Sequence, residues 1–146
     1  GTTMVSIKRV ESFIKRAIWQ LTRSSNIIKY VPKSIKNGVV IGDCAVLVNK
    51  QDKFDIFSKS RQPIRRDVTN RKVAICVATL MNQYNSTHRD TLDELLQLDK
   101  QYSMANSEYI RNENKKMPNT DVHEYLIDKL TITKQKIDKL YRSMTL

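Results

Sequence analysis

The sequence of 146 residues is poor in the residues that mark specialised classes of protein. Three glycines, three prolines and two cysteines exclude collagen-like chains, low-complexity chains and disulfide-stapled scaffolds. No apolar run approaches the roughly twenty residues that cross a bilayer, and no apolar segment followed by a small-residue cleavage site is present near the N-terminus. We therefore expect an intracellular protein with neither a membrane span nor a signal peptide.

Histidine, glycine and cysteine are also too scarce to favour catalysis. The two histidines, His88 and His123, show no zinc-ligand spacing, the cysteines form no CxxC pair, and no glycine-rich loop could hold phosphates. Asp43 and Asp55 would suit a metal-dependent nuclease if they faced each other across a hairpin, but solvated carboxylates on a strand are far commoner. The sequence therefore predicts a protein that is not an enzyme and uses no cofactor or metal.

Positive charge is what the sequence has in excess. The formal net charge is +11, and 40% of the residues are hydrophobic, which is enough for a folded domain. The charge is uneven, because residues 1–36 carry eight basic and one acidic side chain whereas residues 91–146 carry nine of each. This division predicts that the N-terminal half faces an anionic partner and that the C-terminal half does something else.

The hydrophobic pattern predicts one domain over residues 1–146, in the α+β class and mainly helical. Its predicted parts are a basic amphipathic helix with its connection (1–36), a small antiparallel β-hairpin plus a buried central helix (37–87), and a long antiparallel helical hairpin (88–146). Val39 to Asn49 and Phe54 to Ser58 are the predicted strands, with Gly42 as a bulge inside the first and a further short strand near Ile64.

The predicted first helix, residues 7–24, has a basic side opposite its apolar stripe, and Trp19 lies in the middle of that side. Cations release counterions from phosphates and an indole stacks on unpaired bases, which favours nucleic acid, either DNA or RNA. Packing of Trp19 inside the fold or on another subunit is an equal alternative, and a membrane surface or an acidic protein is a third. The predicted nucleic-acid-binding residues are Lys8, Arg9, Lys15, Arg16, Trp19, Arg23, Lys29, Lys33, Lys36, Arg65, Arg66, Arg71 and Lys72.

The predicted helical hairpin carries more apolar surface than two helices can cover, and its balanced charge presents no obstacle to assembly. We therefore expect a homo-oligomer that forms through this hairpin. The predicted interface residues are Leu95, Tyr102, Tyr109, Ile127 and Ile132.

Three short segments resemble parts of small uncharacterised proteins of large tailed marine phages. They are Val39 to Val46, Lys53 to Phe57 and Val73 to Ala78. In that family a glycine-containing strand, a hairpin return and an alanine-rich helix precede a long helical hairpin, whereas the turn at Lys50 to Asp52 departs from the pattern. The resemblance implies a phage-encoded protein of the host cytoplasm or the virion, and it implies no activity.

The function predicted from the sequence is a self-associating basic protein that binds nucleic acid through phosphate contacts of its N-terminal half. The alternative is a structural or assembly component of a virus particle, in which the basic surface meets other viral proteins.

Overall fold

The structure is a computed structural model and describes residues 27–84 and 86–146. Five strands form one antiparallel sheet in which each strand pairs with its neighbour in sequence. The strands are β1 (Lys33–Ile35), β2 (Gly38–Ile41), β3 (Cys44–Val48), β4 (Phe54–Phe57) and β5 (Pro63–Val68). Three helices follow: α1 (Arg71–Met81), α2 (Ser86–Glu113) and α3 (Thr120–Met144).

The predicted fold is wrong in its β-structure, although the described chain is α+β. A five-stranded sheet stands where a small hairpin was predicted, because the apolar run from Val39 to Asn49 is two strands and not one. In addition, β1 lies in the segment that was predicted to be the connection before residue 37. Gly42 has a φ of 56° and forms, with Asp43, the two-residue turn between β2 and β3. A glycine with positive φ is what such tight hairpins need. The amphipathic helix predicted over 7–24 lies outside the described residues.

Helix α1 is the centre of the molecule. Asn70 caps its first turn by accepting hydrogen bonds from the backbone N–H groups of Lys72 and Val73. Every residue from 73 to 80 is buried, because α1 lies between the sheet and the two long helices. The sheet turns Val39, Ile41, Val46 and Ile56 toward it, at alternating positions along their strands.

Helices α2 and α3 form an antiparallel hairpin with two different halves. In the proximal half, residues 86–102 and 131–144, leucines of α2 and apolar residues of α3 pack into the same core as α1 and the sheet. In the distal half, residues 103–113 and 120–130, the buried apolar side chains that the structure describes form a separate cluster between the two helices, around Ala105, Leu126 and Leu130. The distal tip is closed by Asn112, whose side-chain amide donates to the backbone oxygen of Asn119.

Candidate functional site

A groove lies between strand β5 and helix α2. Its volume is about 420 Å³, within the range of small-molecule and cofactor sites. One wall is the β5 edge with the chain that follows it, and the other is the middle of α2. The lining residues are Lys53, Arg65, Arg66, Asp67, Val68, Thr69, Leu96, Gln97, Asp99, Lys100, Ser103 and Met104.

Irregular pairing of β5 brings two arginines to this groove. Phe57 faces Pro63, Ile56 faces Arg65 and Phe54 faces Val68, so β5 holds two more residues than β4 over the same length. Asp67 has a φ of 58° within this stretch. Bulges bend an edge strand and change the direction of its side chains, and here Arg65 and Arg66 both line the groove.

Asp99 fixes the α2 wall to the opposite one. It is 5% exposed, and its two carboxylate oxygens accept hydrogen bonds from the backbone N–H groups of Thr69 (2.7 Å) and Asn70 (2.8 Å). Burial raises the pKa of the Asp99 carboxyl, while these two hydrogen bonds and the charge of Lys53 act in the opposite direction. Asp99 therefore serves as a structural anchor whose acceptor atoms already have donors.

Asp67, the second carboxylate of the groove, is engaged as well. The side-chain amide of Asn49 donates to Asp67 at 2.8 Å and to Asp55 at 3.1 Å. The backbone N–H of Asp67 donates to the same oxygen of Asp55 at 3.0 Å. This network joins the β3–β4 loop to β5 and keeps the acidic side chains on internal partners.

The cations of the groove, in contrast, are not paired with acidic side chains in the described part of the chain. We call Lys53, Arg65, Arg66 and Lys100 the basic groove residues; four positive charges stand against the two carboxylates Asp67 and Asp99. None of the four cations forms an ion pair with another residue in the described ranges. The Arg65 guanidinium donates one hydrogen bond, to the backbone oxygen of Ile64 at 2.8 Å. The groove therefore has an excess of positive charge and unused donors.

The structure separates the basic residues predicted to act together. Arg65 and Arg66 line the groove, whereas Arg71 is exposed at the start of α1. Lys72 points to α3, where its Nζ lies 2.6 Å from Asp138 and 5.4 Å from the centre of the Tyr141 ring. The charge of Lys72 is therefore paired with a carboxylate of the protein itself.

The remaining predicted nucleic-acid contacts lie elsewhere. Lys29, Lys33 and Lys36 are exposed at and near strand β1, the other edge of the sheet. Four strand spacings of about 4.8 Å put that edge roughly 19 Å from β5. The six predicted contacts before residue 24 lie outside the described residues; these are Lys8, Arg9, Lys15, Arg16, Trp19 and Arg23.

Sequence reasoning missed Lys53 and Lys100 as site residues. Lys53 belongs to a predicted hairpin loop and Lys100 to a predicted helix, 47 positions apart in the sequence. Only the packing of α2 beside β5 brings them together, and no local pattern signals it. The sequence places Asp99 as a polar residue on an apolar helix face, but this position does not predict its hydrogen bonds to the backbone before α1.

The predicted interface residues of the helical hairpin have unequal surroundings. Leu95 is 1% exposed and packs in the core beside α1, so its side chain has no surface left for a partner. Tyr102 packs against both apolar clusters, and the ring of Tyr109 stacks on His123 with centres 4.9 Å apart. Ile127 is 44% exposed, and Ile132 is half-buried.

Other kinds of site find no support in the described residues. Asp43 lies in the β2–β3 turn, whereas Asp55 pairs with Leu47 toward the opposite end of β3, so the two do not face each other. No group of three or more histidine, cysteine or acidic side chains in residues 27–84 and 86–146 could hold a metal ion. Burial raises the pKa of the Cys44 thiol and raises that of Cys76 to about 12, so neither is an activated thiol.

Among the described helices, none combines the length and the apolar character that a bilayer crossing requires. Comparisons with protein-family models, with curated proteins and with solved structures found no match to this chain. The resemblance to the phage family therefore stays a prediction. The basis for a function is the geometry and the charge of the molecule itself.

Proposed function

We propose that the protein binds nucleic acid through phosphate contacts in the basic groove. The observation that carries the proposal is the convergence of four cations in one open groove whose carboxylates are already hydrogen-bonded. A surface cation gains little from a distant anion in water, but several cations that converge on one phosphate chain release its condensed counterions together.

The chemistry of the lining suits a phosphate ester better than a carboxylate of a folded partner. Two adjacent arginines offer planar donor groups that match phosphate oxygens in pairs. Ser103 adds a hydroxyl group, and Leu96 and Met104 add apolar surface beside the charges. Among the residues that the structure describes, the groove lining contains no aromatic side chain that could stack on a base. We therefore expect binding that depends on backbone charge and depends little on base sequence.

Fluorescence anisotropy with labelled single- and double-stranded oligonucleotides, at low and at high salt, tests the proposal. The double variant Arg65→Gln/Arg66→Gln should weaken binding similarly for all sequences. It should also lower the steepness of log K against log salt by roughly 1.5 to 2, because about two phosphate contacts are lost. Circular dichroism of the variant confirms that its fold is intact.

A matched control removes the same charge elsewhere. Lys115→Gln/Lys116→Gln lies at the exposed tip of the helical hairpin and outside the predicted contacts, so it should leave the salt dependence nearly unchanged. Lys33→Gln/Lys36→Gln asks whether the β1 edge takes part, and Lys15→Gln/Arg16→Gln/Arg23→Gln asks the same of the predicted N-terminal contacts. Quenching of Trp19, the single tryptophan, reports whether bound bases reach it.

Two results would overturn the proposal. One is an Arg65→Gln/Arg66→Gln variant whose affinity and salt dependence equal those of the parent, since the groove would then not be the site. The other is absence of binding at low salt despite the net charge of +11, which would favour the alternative of an acidic protein partner.

A further inference from the structure

We call the exposed side of helix α3 that carries Asp121, Glu124, Asp128, Thr131, Gln135, Lys139 and Arg142 its outward side. The charge of the helix divides along its length into an acidic and a basic half. Residues 121–128 carry three acidic side chains and no lysine or arginine, whereas residues 129–144 carry five basic side chains and one acidic. Asp121, Glu124 and Asp128 are exposed in the first half, and Lys139 and Arg142 are exposed in the second. The single acidic residue of the basic half, Asp138, is already paired with Lys72.

This pattern is self-complementary in one orientation only. If two copies of α3 pack antiparallel about a two-fold axis between Thr131 and Ile132, Asp121 faces Arg142 of the other copy and Glu124 faces Lys139. The symmetry repeats each contact, so the two pairings become four. Parallel packing would set acidic halves against each other and basic halves against each other, which repulsion disfavours.

The middle of the same side is suited to a contact between helices. Thr131 and Gln135 carry no charge and are exposed, Ile132 is half-buried, and Ile127 is 44% exposed at the flank. The centre of an interface needs low charge and some apolar surface, with charged residues at its rim. The outward side of α3 has this arrangement along its length.

We propose that this protein forms an antiparallel two-fold dimer through the outward side of α3, with a second copy of the chain as the partner. The proposal goes beyond nucleic-acid binding, because none of the α3 residues involved lines the basic groove. Since few apolar side chains are buried, the dimer is weak, forms at micromolar concentration and dissociates at high salt.

Sedimentation velocity of the full chain over a range of concentrations, at low and at high salt, measures this dimer. Glu124→Lys places a lysine opposite Lys139 of the partner, and Lys139→Glu places a glutamate opposite Glu124. Each single variant should dimerise at least roughly tenfold more weakly than the parent, because the symmetry makes two pairings repulsive. Lys115→Glu, at the exposed tip of the helical hairpin, is the matched control and should dimerise like the parent.

Mixing the two single variants makes the experiment decisive. In the mixed dimer the lysine introduced at position 124 of one copy is opposite the glutamate introduced at position 139 of the other. The native Glu124 and the native Lys139 form the second pairing, so an equimolar mixture should recover dimers that neither variant forms alone. Recovery also shows that both variants are folded.

Three outcomes would each overturn the proposal. They are a parent that stays monomeric at all concentrations, single variants that dimerise like the parent, and a mixture that recovers nothing. Oligonucleotide binding measured on the same variants keeps this outcome separate from that of the groove.

Discussion

The two halves of the helical hairpin are built from the same two helices but have different neighbours. The proximal half shares a core with α1 and the sheet, whereas the apolar cluster of the distal half lies, in the described part of the chain, between the two helices alone. Elements with few buried apolar contacts open at a lower free energy than the rest of a domain. We therefore expect backbone amides of the distal half to exchange with solvent before those of the proximal half.

The two proposed surfaces place different demands on the hairpin. The basic groove needs fixed walls, and its α2 wall runs from Leu96 to Met104, along the end of the proximal half and the first two residues of the distal half, where α2 contacts β5. The proposed dimer face needs only one exposed helix side, and it crosses both halves of α3. A dimer would give the distal half an additional neighbour.

The largest expected difference between the halves comes from leucine truncation. Leu95→Ala in the proximal half should lower the free energy of unfolding by about 4 kcal/mol, because surrounding elements prevent collapse of the cavity. Leu126→Ala in the distal half should cost about 2.5 kcal/mol, because one helix can shift into the space. Urea denaturation followed by circular dichroism measures both, and equal losses would contradict the difference between the halves.

Removing the charge of Asp99 tests the anchor between the proximal half and the chain before α1. In Asp99→Asn one acceptor oxygen becomes an amide NH2 group that faces a backbone N–H, so both are donors. We therefore expect the free energy of unfolding to fall by about 2 kcal/mol. Asp93→Asn, the same change at an exposed position of α2, should stay within about 0.5 kcal/mol of the parent. Urea denaturation measures both variants. If Asp99→Asn costs no more than Asp93→Asn, the two backbone hydrogen bonds of Asp99 do not contribute to stability.

Raising the pH tests the burial of Cys76 on α1, which lies between the sheet and the proximal half. Burial raises the pKa of its thiol from 9.0 to about 12, so between these values the unfolded chain has lost a proton that the folded chain keeps. The free energy of unfolding should therefore fall by about 1.4 kcal/mol per pH unit above pH 9.0. Denaturant unfolding at several pH values checks this slope against Cys76→Ala, which should lack this part of it; an unchanged slope in Cys76→Ala would contradict it.

The smallest expected effects come from the ion pairs of the two halves. The side chains of Lys72 and Asp138 are 40% and 29% exposed, so Lys72→Met should cost at most about 1 kcal/mol, and the loss should shrink with salt. The distal pair of Arg111 with Glu108 is more exposed at its arginine, and Arg111→Met should cost about 0.3 kcal/mol. Thermal unfolding at two salt concentrations checks both, and a salt-independent loss at Lys72 would indicate packing rather than charge.

The sequence predicts the long helices better than it predicts the sheet. The three- and four-residue spacing of apolar side chains repeats over many turns, and the helical hairpin predicted over 88–146 contains α2 and α3 except for the first two residues of α2. The run from Val39 to Asn49 contains its turn as Gly42-Asp43, a pair typical of two-residue hairpins that the sequence prediction places inside one strand. Gly42 is equally compatible with a bulge and with a two-residue hairpin, and only the pairing of Ile41 with Cys44 decides between them.

The candidate site could be predicted only in part. Charge alone indicated Arg65 and Arg66, and it indicated Lys72 with equal weight, although Lys72 is paired with Asp138 in the structure. Whether a cation is free or paired depends on contacts between residues far apart in the sequence, which composition and spacing do not contain. The same reason explains why Lys53 and Lys100 were missed.

The order of the strands in the sheet also has a kinetic consequence. Each strand pairs only with its neighbour in sequence, across turns of two residues at 36–37 and 42–43 and of five residues at 49–53 and 58–62. Short loops close rapidly, and single hairpins form in about 1–10 μs. The sheet can therefore form by successive closure of local hairpins, because none of the five described strands pairs with a strand that is distant in the sequence. The slowest step of folding should be the docking of the helical hairpin onto α1, where contacts between distant parts of the chain are first made.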